Sequence, residues 1–296
     1  MKWKKKICIG TPQFSGFYGI TNQNKKGFKL RDINNFFRLL KKNRINYIDT
    51  ALAYKKAEKN IISSKANISK FNIITKIPRP NKLINYEEVV IRKISQSQKN
   101  FRIRKFYSIL LHDCKNLQKS EIKKVLNIFM LLKKKNLTKY VGFSIYNTQD
   151  YKKIIKYFKP DILQVPGNVF DRTFLTKKFL NEIKKRKIKL HVRSIFLQGI
   201  ILSDMQFINK NFKKWKNIFH SWEKFCQYNN SSKIEIATNF LFNYPLIDKI
   251  IVGFNNKSQF LQFLKIKKLN LKIPNFINND KKSIEKLIKP YNWNLK

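Results

Sequence analysis

Short β-forming segments alternate with longer amphipathic segments along almost the whole of this sequence. The longer segments carry apolar residues at helical spacing and charged residues on the opposite face. Eight strands are predicted from this pattern, at residues 7–11, 46–50, 72–76, 107–113, 139–144, 161–166, 189–196 and 249–254. Strict alternation of this kind predicts an α/β fold with a parallel sheet. Eight units favour a closed (β/α)8 TIM barrel, although the periodicity alone is also compatible with an open doubly wound sheet.

No Gly-, Pro- or Ser-rich linker divides the 296 residues, so we expect a single domain. Residues 7–265 would form the core barrel. Residues 203–248 are the longest interval between predicted strands and are expected to hold two helices. The polar tail, residues 266–296, is expected to pack on the outside of the barrel.

The chain is strongly basic, with 64 Lys and Arg against 17 Asp and Glu and a formal charge of +47. Such a charge is typical of nucleic-acid-binding proteins, and that class stays an alternative. However, the lysines are spread over nearly every predicted helix and accompany abundant Asn, Ile and Phe, all residue types with A/T-rich codons. We therefore expect no specific nucleic-acid partner, only weak and salt-sensitive binding to polyanions.

Other features point to a cytoplasmic protein without a membrane partner. No run of about 18 apolar residues is present, and the N-terminus lacks the apolar stretch of a signal peptide. The three cysteines are scattered, which indicates neither a disulfide framework nor a metal site. The expected state is a monomer or a weak homo-oligomer.

Ionisable residues end three consecutive predicted strands. They are Asp49, Lys76 and His112, and Tyr54 follows Asp49 in the next loop. Because the carboxyl ends of barrel strands meet at one face, these four side chains are expected to share a pocket. Taken singly, each has a simpler explanation, since a strand-end Asp is commonly a helix cap and a loop Tyr is commonly a surface residue.

Together the four side chains suit carbonyl reduction. Hydride transfer to a carbonyl carbon creates an alkoxide that needs a proton and a hydrogen-bond donor. The ammonium of Lys76 would lower the pKa of the Tyr54 phenol, and Asp49 would keep Lys76 charged and in place. His112 would orient the carbonyl oxygen.

The segment NYIDTALAYKKAEKNI resembles the signature of the aldo-keto reductase family, in which D-T-A-x-x-Y carries the aspartate and the acid tyrosine and a glutamate follows, here Glu58. NIITK and SILLHD resemble the family strands that carry the catalytic lysine and histidine. The resemblance covers about residues 7–265. It implies reduction of an aldehyde or ketone by hydride transfer from a nicotinamide cofactor, with Tyr54 as general acid.

The resemblance also implies a cofactor site on the later strands. KYVGFSIYN and DILQVPGNVFDR resemble the segments that hold the nicotinamide carboxamide, and VRSIFLQGIIL resembles the loop that stacks on the nicotinamide and wraps the pyrophosphate. The implied cofactor residues are Ser144, Gln164, Arg193, Ser194, Phe196, Gln198, Gly199, Gly253, Asn255 and Gln259.

Several positions depart from the family pattern. Ile145 replaces a common Asn, Arg193 replaces a common aromatic residue, and Ser15 replaces a glycine. The segment VGFNNKSQFLQF lacks the Lys and Arg that hold the 2′-phosphate of NADPH in many members. NADPH is therefore implied by the family alone, and NADH stays open.

The opening segment and RSIFLQG resemble a bacterial branch associated with sugar and cell-surface polysaccharide metabolism. A sugar derivative is thus one candidate substrate. The alternative is a sensor or scaffold that binds the cofactor on the same fold without significant turnover. Tyr18 is expected near the barrel mouth.

Overall fold

The computed structural model describes residues 2–16, 19–20, 28–80, 85–204, 206, 210–276, 281–290 and 293. Tyr18 lies outside these residues. Within them, eight strands form a closed barrel in which each strand pairs with the next and the last pairs with the first, all in parallel. The prediction of a closed TIM barrel is therefore confirmed, and the open sheet is excluded.

The strands are β1 Ile7–Gly10, β2 Tyr47–Asp49, β3 Asn72–Ile77, β4 Phe106–Leu111, β5 Thr138–Ser144, β6 Ile162–Pro166, β7 Lys189–Arg193 and β8 Ile247–Val252. The helices are α1 Leu30–Lys42, α2 Lys55–Ser63, α3 Tyr86–Phe101, α4 Lys119–Lys134, α5 Thr148–Ile155, α6 Lys177–Lys185, α7 Lys216–Tyr228, α8 Lys233–Phe242, α9 Lys257–Leu264 and α10 Lys281–Ile288. Helices α7 and α8 occupy the long interval before β8.

Strand β7 is shorter than predicted, because it ends at Arg193 and not at residue 196. Ser194 has a φ of 60° and Leu197 a φ of 46°, so the backbone enters the left-handed region and leaves the sheet. The apolar run of the sequence continues through this turn, which is why it resembles a longer strand. Strand β4 likewise ends at Leu111, one residue before His112.

Helix α1 shows why the helices form an outer layer. Its buried residues are Ile33, Phe36, Phe37 and Leu40, which follow the 3.6-residue period of one helix face. Full burial of each such side chain stabilises the fold by roughly 1.5–3 kcal/mol. The basic residues of the helix lie on the other face, so the excess of lysine leaves the core apolar.

The inside of the barrel is filled separately from the layer between strands and helices. Cys8, Ile74, Leu110, Ile162 and Ile251 form a small buried cluster in the interior, and three tyrosines of β2, β4 and β5 pack against it. Because this filling closes the interior, a binding site can form only at an open end of the barrel.

Residues after α9 contact the barrel through aromatic side chains. The ring of Phe276 packs edge-on against Trp222 of α7 at 5.5 Å and against Phe170 at 6.2 Å between ring centres. The guanidinium of Arg172 donates to the carbonyl oxygen of Ile273 at 3.3 Å. In the described parts of the chain, no helix is long and apolar enough to cross a membrane.

Candidate active site

A cavity of about 1590 Å³ opens at the carboxyl ends of the strands. All four residues predicted to be catalytic and all ten predicted to bind the cofactor line it. They come from β2, β3, β5, β6, β7 and the loops that follow the strands, so they are brought together only by closure of the barrel. Glu58 of the family signature is not among the lining residues. Burial raises the pKa of Glu58, and the nearby polar side chains of Ser97 and Asn100 on α3 oppose that rise.

Asp49 and Lys76 form an ion pair at the bottom of the cavity. The Nζ of Lys76 lies 2.5 Å from the Oδ1 of Asp49 and also donates to the carbonyl oxygen of Thr50 at 3.0 Å. The exposed fractions of the two side chains are only 3% for Lys76 and 7% for Asp49. A buried ammonium with two oxygen partners is held in one position, and the carboxylate compensates its charge.

Tyr54 lies directly before α2, above this pair. Its backbone N–H donates to the carbonyl oxygen of Ala51 at 2.8 Å, which closes the turn that follows β2. The Nζ of Lys76 is 6.0 Å from the centre of the Tyr54 ring. The ring of His112 meets the Tyr54 ring edge-on, with 5.7 Å between centres. The phenol, the imidazole and the ammonium therefore face a common space.

His112 is neutral at physiological pH in this environment. Burial, together with the positive charges of Lys76 and Arg193, lowers the pKa of His112 to about 3. A neutral imidazole donates a hydrogen bond from one nitrogen only and accepts at the other. His112 is thus suited to orient a polar oxygen, and it is not a store of an easily released proton.

Buried polar side chains connect the ion pair to the other half of the barrel. The Nε2 of Gln164 donates to the Oδ2 of Asp49 at 2.8 Å, and the Oγ of Ser144 donates to the Oε1 of Gln164 at 3.5 Å. The Nε of Arg193 in turn donates to the Oγ of Ser144 at 3.4 Å. Gln164 and Ser144 therefore present amide and hydroxyl groups beside the ion pair, in a place where water is largely excluded.

Arg193 stands at the position where the family that the sequence resembles commonly has an aromatic residue. Its guanidinium lies 4.0 Å from the ring centre of Tyr146 and donates from Nη2 to the carbonyl oxygen of Ile145 at 3.2 Å. The guanidinium thus lies over the face of an aromatic ring, at cation–π distance. Ile145 lacks the polar side chain of the Asn that is common at this position in the resembled family, but its backbone carbonyl oxygen anchors Arg193.

The loop after β7 curves along the cavity with unusual backbone geometry. Leu197, Gln198 and Gly199 all have positive φ, of 46°, 54° and 102°. Non-glycine residues rarely adopt this region, and such strain is concentrated at functional sites. The Nδ2 of Asn168 donates to the carbonyl oxygen of Ser194 at 3.0 Å and fixes the start of the loop.

At the end of β8, Gly253 allows a side chain from the first loop to approach closely. A Cβ atom at this position would lie 2.1 Å from the Nε2 of Gln13. Gln13 also lines the cavity, and its Oε1 is buried without a hydrogen-bond partner among the described residues. The Oε1 of Gln259 accepts from the backbone N–H of Asn255 at 2.9 Å, which shapes the turn into α9.

An ion cluster on the far side of the cavity was not predicted from the sequence. The Nζ of Lys233 lies 2.8 Å from both the Oδ1 of Asp204 and the Oε1 of Glu223, and all three residues line the cavity. One local signal was available, because the S-x-x-E capping box of Ser232 and Glu235 places Lys233 at the first residue of α8. The two carboxylates that pair with Lys233, Asp204 and Glu223, lie outside α8, and no local sequence pattern marked them.

Comparisons with known proteins agree with this architecture. The family model described as the aldo/keto reductase family matches residues 6–283. None of the curated proteins matches the sequence.

Two solved structures with this fold are an aldo-keto reductase from Bacillus halodurans in its holo form and a glycerol dehydrogenase from Gluconobacter oxydans. The first has a TM-score of 0.71 at 14% identity, over 96% of this chain and 92% of the other. The second has a TM-score of 0.66 at 16% identity, over 96% and 91%. At such low identity these structures show the fold alone. The family model spans nearly the whole chain, and this protein therefore belongs to the aldo/keto reductase family of oxidoreductases.

Proposed function

We propose that this protein reduces an aldehyde or a ketone with a nicotinamide dinucleotide, and that Tyr54 is the general acid. The observation that carries the proposal is the placement of the Tyr54 phenol over the buried Lys76–Asp49 pair, with neutral His112 beside it. A sugar derivative is a candidate substrate, because the first loop and the β7 loop resemble the sugar-associated branch of the family.

The residues of the cavity fit a nicotinamide dinucleotide. Ser144 and Gln164 are buried and polar, and together they offer the donors and acceptors that a carboxamide requires. The cavity of about 1590 Å³ exceeds the roughly 300–1,000 Å³ of a typical small-molecule site, so it has room for an extended ligand. NADPH, which the family resemblance implies, and NADH differ only in the 2′-phosphate, and both are candidates.

Each catalytic side chain has a separate task in this proposal. When bound, the reduced nicotinamide supplies the hydride. The Tyr54 hydroxyl gives its proton to the carbonyl oxygen as negative charge develops there. The Lys76 ammonium stabilises the phenolate that remains, and Asp49 holds that ammonium in position. The N–H of neutral His112 donates to the same oxygen and directs it toward Tyr54.

The Tyr54→Phe variant tests this assignment. It keeps the ring and removes only the hydroxyl, so we expect turnover with an aldehyde panel to fall by about 10²–10⁴-fold. Cofactor affinity, measured by quenching of tryptophan fluorescence, should change little. Tyr157→Phe is the matched control, because Tyr157 is exposed and does not line the cavity. Wild-type turnover in the Tyr54→Phe variant would exclude the proposed acid.

A pre-steady-state measurement separates an enzyme from a cofactor-binding sensor. Oxidation of bound cofactor by at least one aldehyde, sugar or ketone is expected within the wild-type protein. Bound cofactor that reacts with no member of a broad panel would favour the sensor.

A further inference from the structure

The end of the barrel opposite the cavity is strongly basic. Each helix of a (β/α)8 barrel runs back along the sheet, so all helix-to-strand turns meet at the N-terminal ends of the strands. In the seven described turns of this kind, the one carboxylate is Asp161, which lies 2.8 Å from the Nζ of Lys133. The basic face consists of these turns and the strand ends that they surround. Six of the turns expose a basic residue, one each at Arg44, Lys65, Arg104, Lys135, Lys159 and Lys187.

The basic residues of these turns are not explained by the helices that precede them. Cations in the last turn of a helix offset the helix dipole, and Lys41 and Lys42 of α1 are examples. The six turn residues lie beyond the helix ends. Basic residues are spread along the whole sequence, but the fold gathers these six on one surface.

Three tyrosines lie at the centre of the basic face. Tyr47, Tyr107 and Tyr140 stand near the starts of β2, β4 and β5, and their rings meet edge-on with 5.0 and 5.1 Å between centres. All three are half-buried and pack against the cluster that fills the barrel interior. They therefore present aromatic surface within a ring of cations.

Two ammonium groups beside these tyrosines lack a carboxylate partner. The Nζ of Lys249 lies 3.5 Å from the centre of the Tyr47 ring and donates to the carbonyl oxygen of Lys5 at 2.6 Å. The Nζ of Lys189 lies 4.3 Å from the centre of the Tyr140 ring. Among the described residues, no carboxylate oxygen lies within 4.0 Å of either ammonium. Their charge is available to an anion.

Asp248 is the acidic residue that opposes this positive charge. It interacts electrostatically with Lys189 and Lys249, and its Oδ2 accepts from the backbone N–H of Leu190 at 2.8 Å. One carboxylate does not balance the cations of the turns and strands, so the basic face keeps a net positive potential. The cavity at the other end differs, because both of its lysines pair with carboxylates.

We propose that the basic face binds single-stranded nucleic acid, with phosphates at the turn cations and bases against the three tyrosines. Proteins that bind single strands without sequence preference combine a positively charged surface with aromatic side chains on which bases stack. A duplex keeps its bases stacked inside and offers only its phosphates. An anionic membrane fits less well, because proteins on membrane surfaces bury a row of apolar side chains. In these turns the one exposed large apolar residue is Tyr157.

Fluorescence anisotropy of a labelled oligo(dT) of about 12 nucleotides, titrated with the full chain at several salt concentrations, tests this proposal. The triple variant Arg104→Gln, Lys135→Gln, Lys159→Gln removes cations that precede the adjacent strands β4, β5 and β6. Each phosphate contact contributes about 0.7 to the salt slope for a single strand, so the slope should fall by about 2. Affinity at about 0.1 M salt should fall at least tenfold.

A matched variant separates the basic face from the overall charge. Lys119, Lys177 and Lys178 are exposed in the first turns of α4 and α6, at the cavity end, and none lines the cavity. Changing all three to Gln removes the same charge and should leave the salt slope nearly unchanged. Equal losses of slope in the two triple variants would mean diffuse attraction to the whole chain and would overturn the proposal.

An abasic oligomer of the same length and charge tests the contact with bases. The wild type should bind it at least about fivefold more weakly than oligo(dT), the value of one stacked base. Tyr140→Leu removes a phenol and should narrow this difference. If that variant does not fold, the comparison of the two oligomers on the wild type still decides the point. Equal affinity of the wild type for both would overturn the proposed base contacts.

Anionic vesicles that contain phosphatidylserine test the other macromolecular partner. Vesicle binding as tight as oligo(dT) binding, and lost equally in the basic-face variant, would favour a membrane surface and overturn the proposal. Aldehyde reduction and dinucleotide binding should be unchanged in both triple variants, because the six altered residues do not line the cavity. The two proposals therefore succeed or fail independently.

Discussion

Replacement of Lys76 by Met should destabilise the fold as well as remove turnover, because it leaves the carboxylate of Asp49 buried without its counter-ion. The two groups are 2.5 Å apart and have exposed fractions of 3% and 7%. Removal of one partner of such a buried pair costs about 3–5 kcal/mol. The amide of Gln164 at 2.8 Å remains as a donor to Asp49 and should keep the cost within this range.

The pair predicts a strong non-additivity. Asp49→Asn alone should cost about the same as Lys76→Met, because it leaves a buried ammonium without a carboxylate. The double variant buries no net charge, so we expect it to cost no more than either single variant. The interaction energy would then be at least about 3–5 kcal/mol in magnitude, at or above the upper end of values for residues in contact.

Urea unfolding at pH 7, followed by tryptophan fluorescence and circular dichroism, measures the four free energies of this cycle. Glu285 and Lys289 provide an exposed control pair, at 3.4 Å with a Glu285 side chain that is 65% exposed, and their coupling should not exceed about 0.5 kcal/mol. If the loss of unfolding free energy in the Asp49–Lys76 double variant equals the sum of the two single-variant losses, the two charges do not compensate each other in a desolvated site, and the reasoning is refuted.

Two further predictions concern stability. Burial lowers the pKa of His191 to about 3, below the value of about 6.5 in an unfolded chain. As the pH falls, the unfolded state therefore takes up the proton first. The free energy of unfolding should drop by up to about 1.4 kcal/mol per pH unit below 6.5. The variant His191→Gln should reduce this slope in urea unfolding between pH 7.5 and 5, whereas the control His220→Gln, at an exposed position, should not. Parallel pH profiles for the wild type and His191→Gln would contradict the assignment. Gly142→Ala should destabilise by about 3 kcal/mol or more, because its Cβ would lie 1.9 Å from the carbonyl oxygen of Ile162. At Gly10 the nearest atom would be 3.4 Å away, so Gly10→Ala should cost far less, and equal shifts of the two urea midpoints would contradict this reasoning.

Local pattern was enough to predict the strands because their signals lie within a few consecutive residues. All eight predicted strands overlap the observed ones, and seven of them end within two residues of the observed ends. The exception is β7, where Ser194 leaves the sheet with a φ of 60°. A backbone turn of that kind depends on contacts such as the hydrogen bond from distant Asn168, which no local pattern contains.

Residue types at strand ends, read with the family resemblance, were enough to nominate Asp49, Tyr54, Lys76 and His112. The same reasoning could not find the cluster of Asp204, Glu223 and Lys233. In a chain with 64 basic residues, the sequence does not distinguish a lysine that lines a site from one on the surface. Only the packing of α8 against α7 and the β7 loop brings the two carboxylates to its ammonium.

By itself the sequence determined the order and type of the elements and the chemistry available at each strand end, since both depend on near neighbours in the chain. The tertiary structure alone decided which charges are compensated. Closure of the barrel buries Lys76 against Asp49, and the packing of α8 against α7 and the β7 loop engages Lys233 on the far side of the cavity. Electrostatic interactions depend on distance and on exclusion of water, and these arise only when residues remote in sequence pack together.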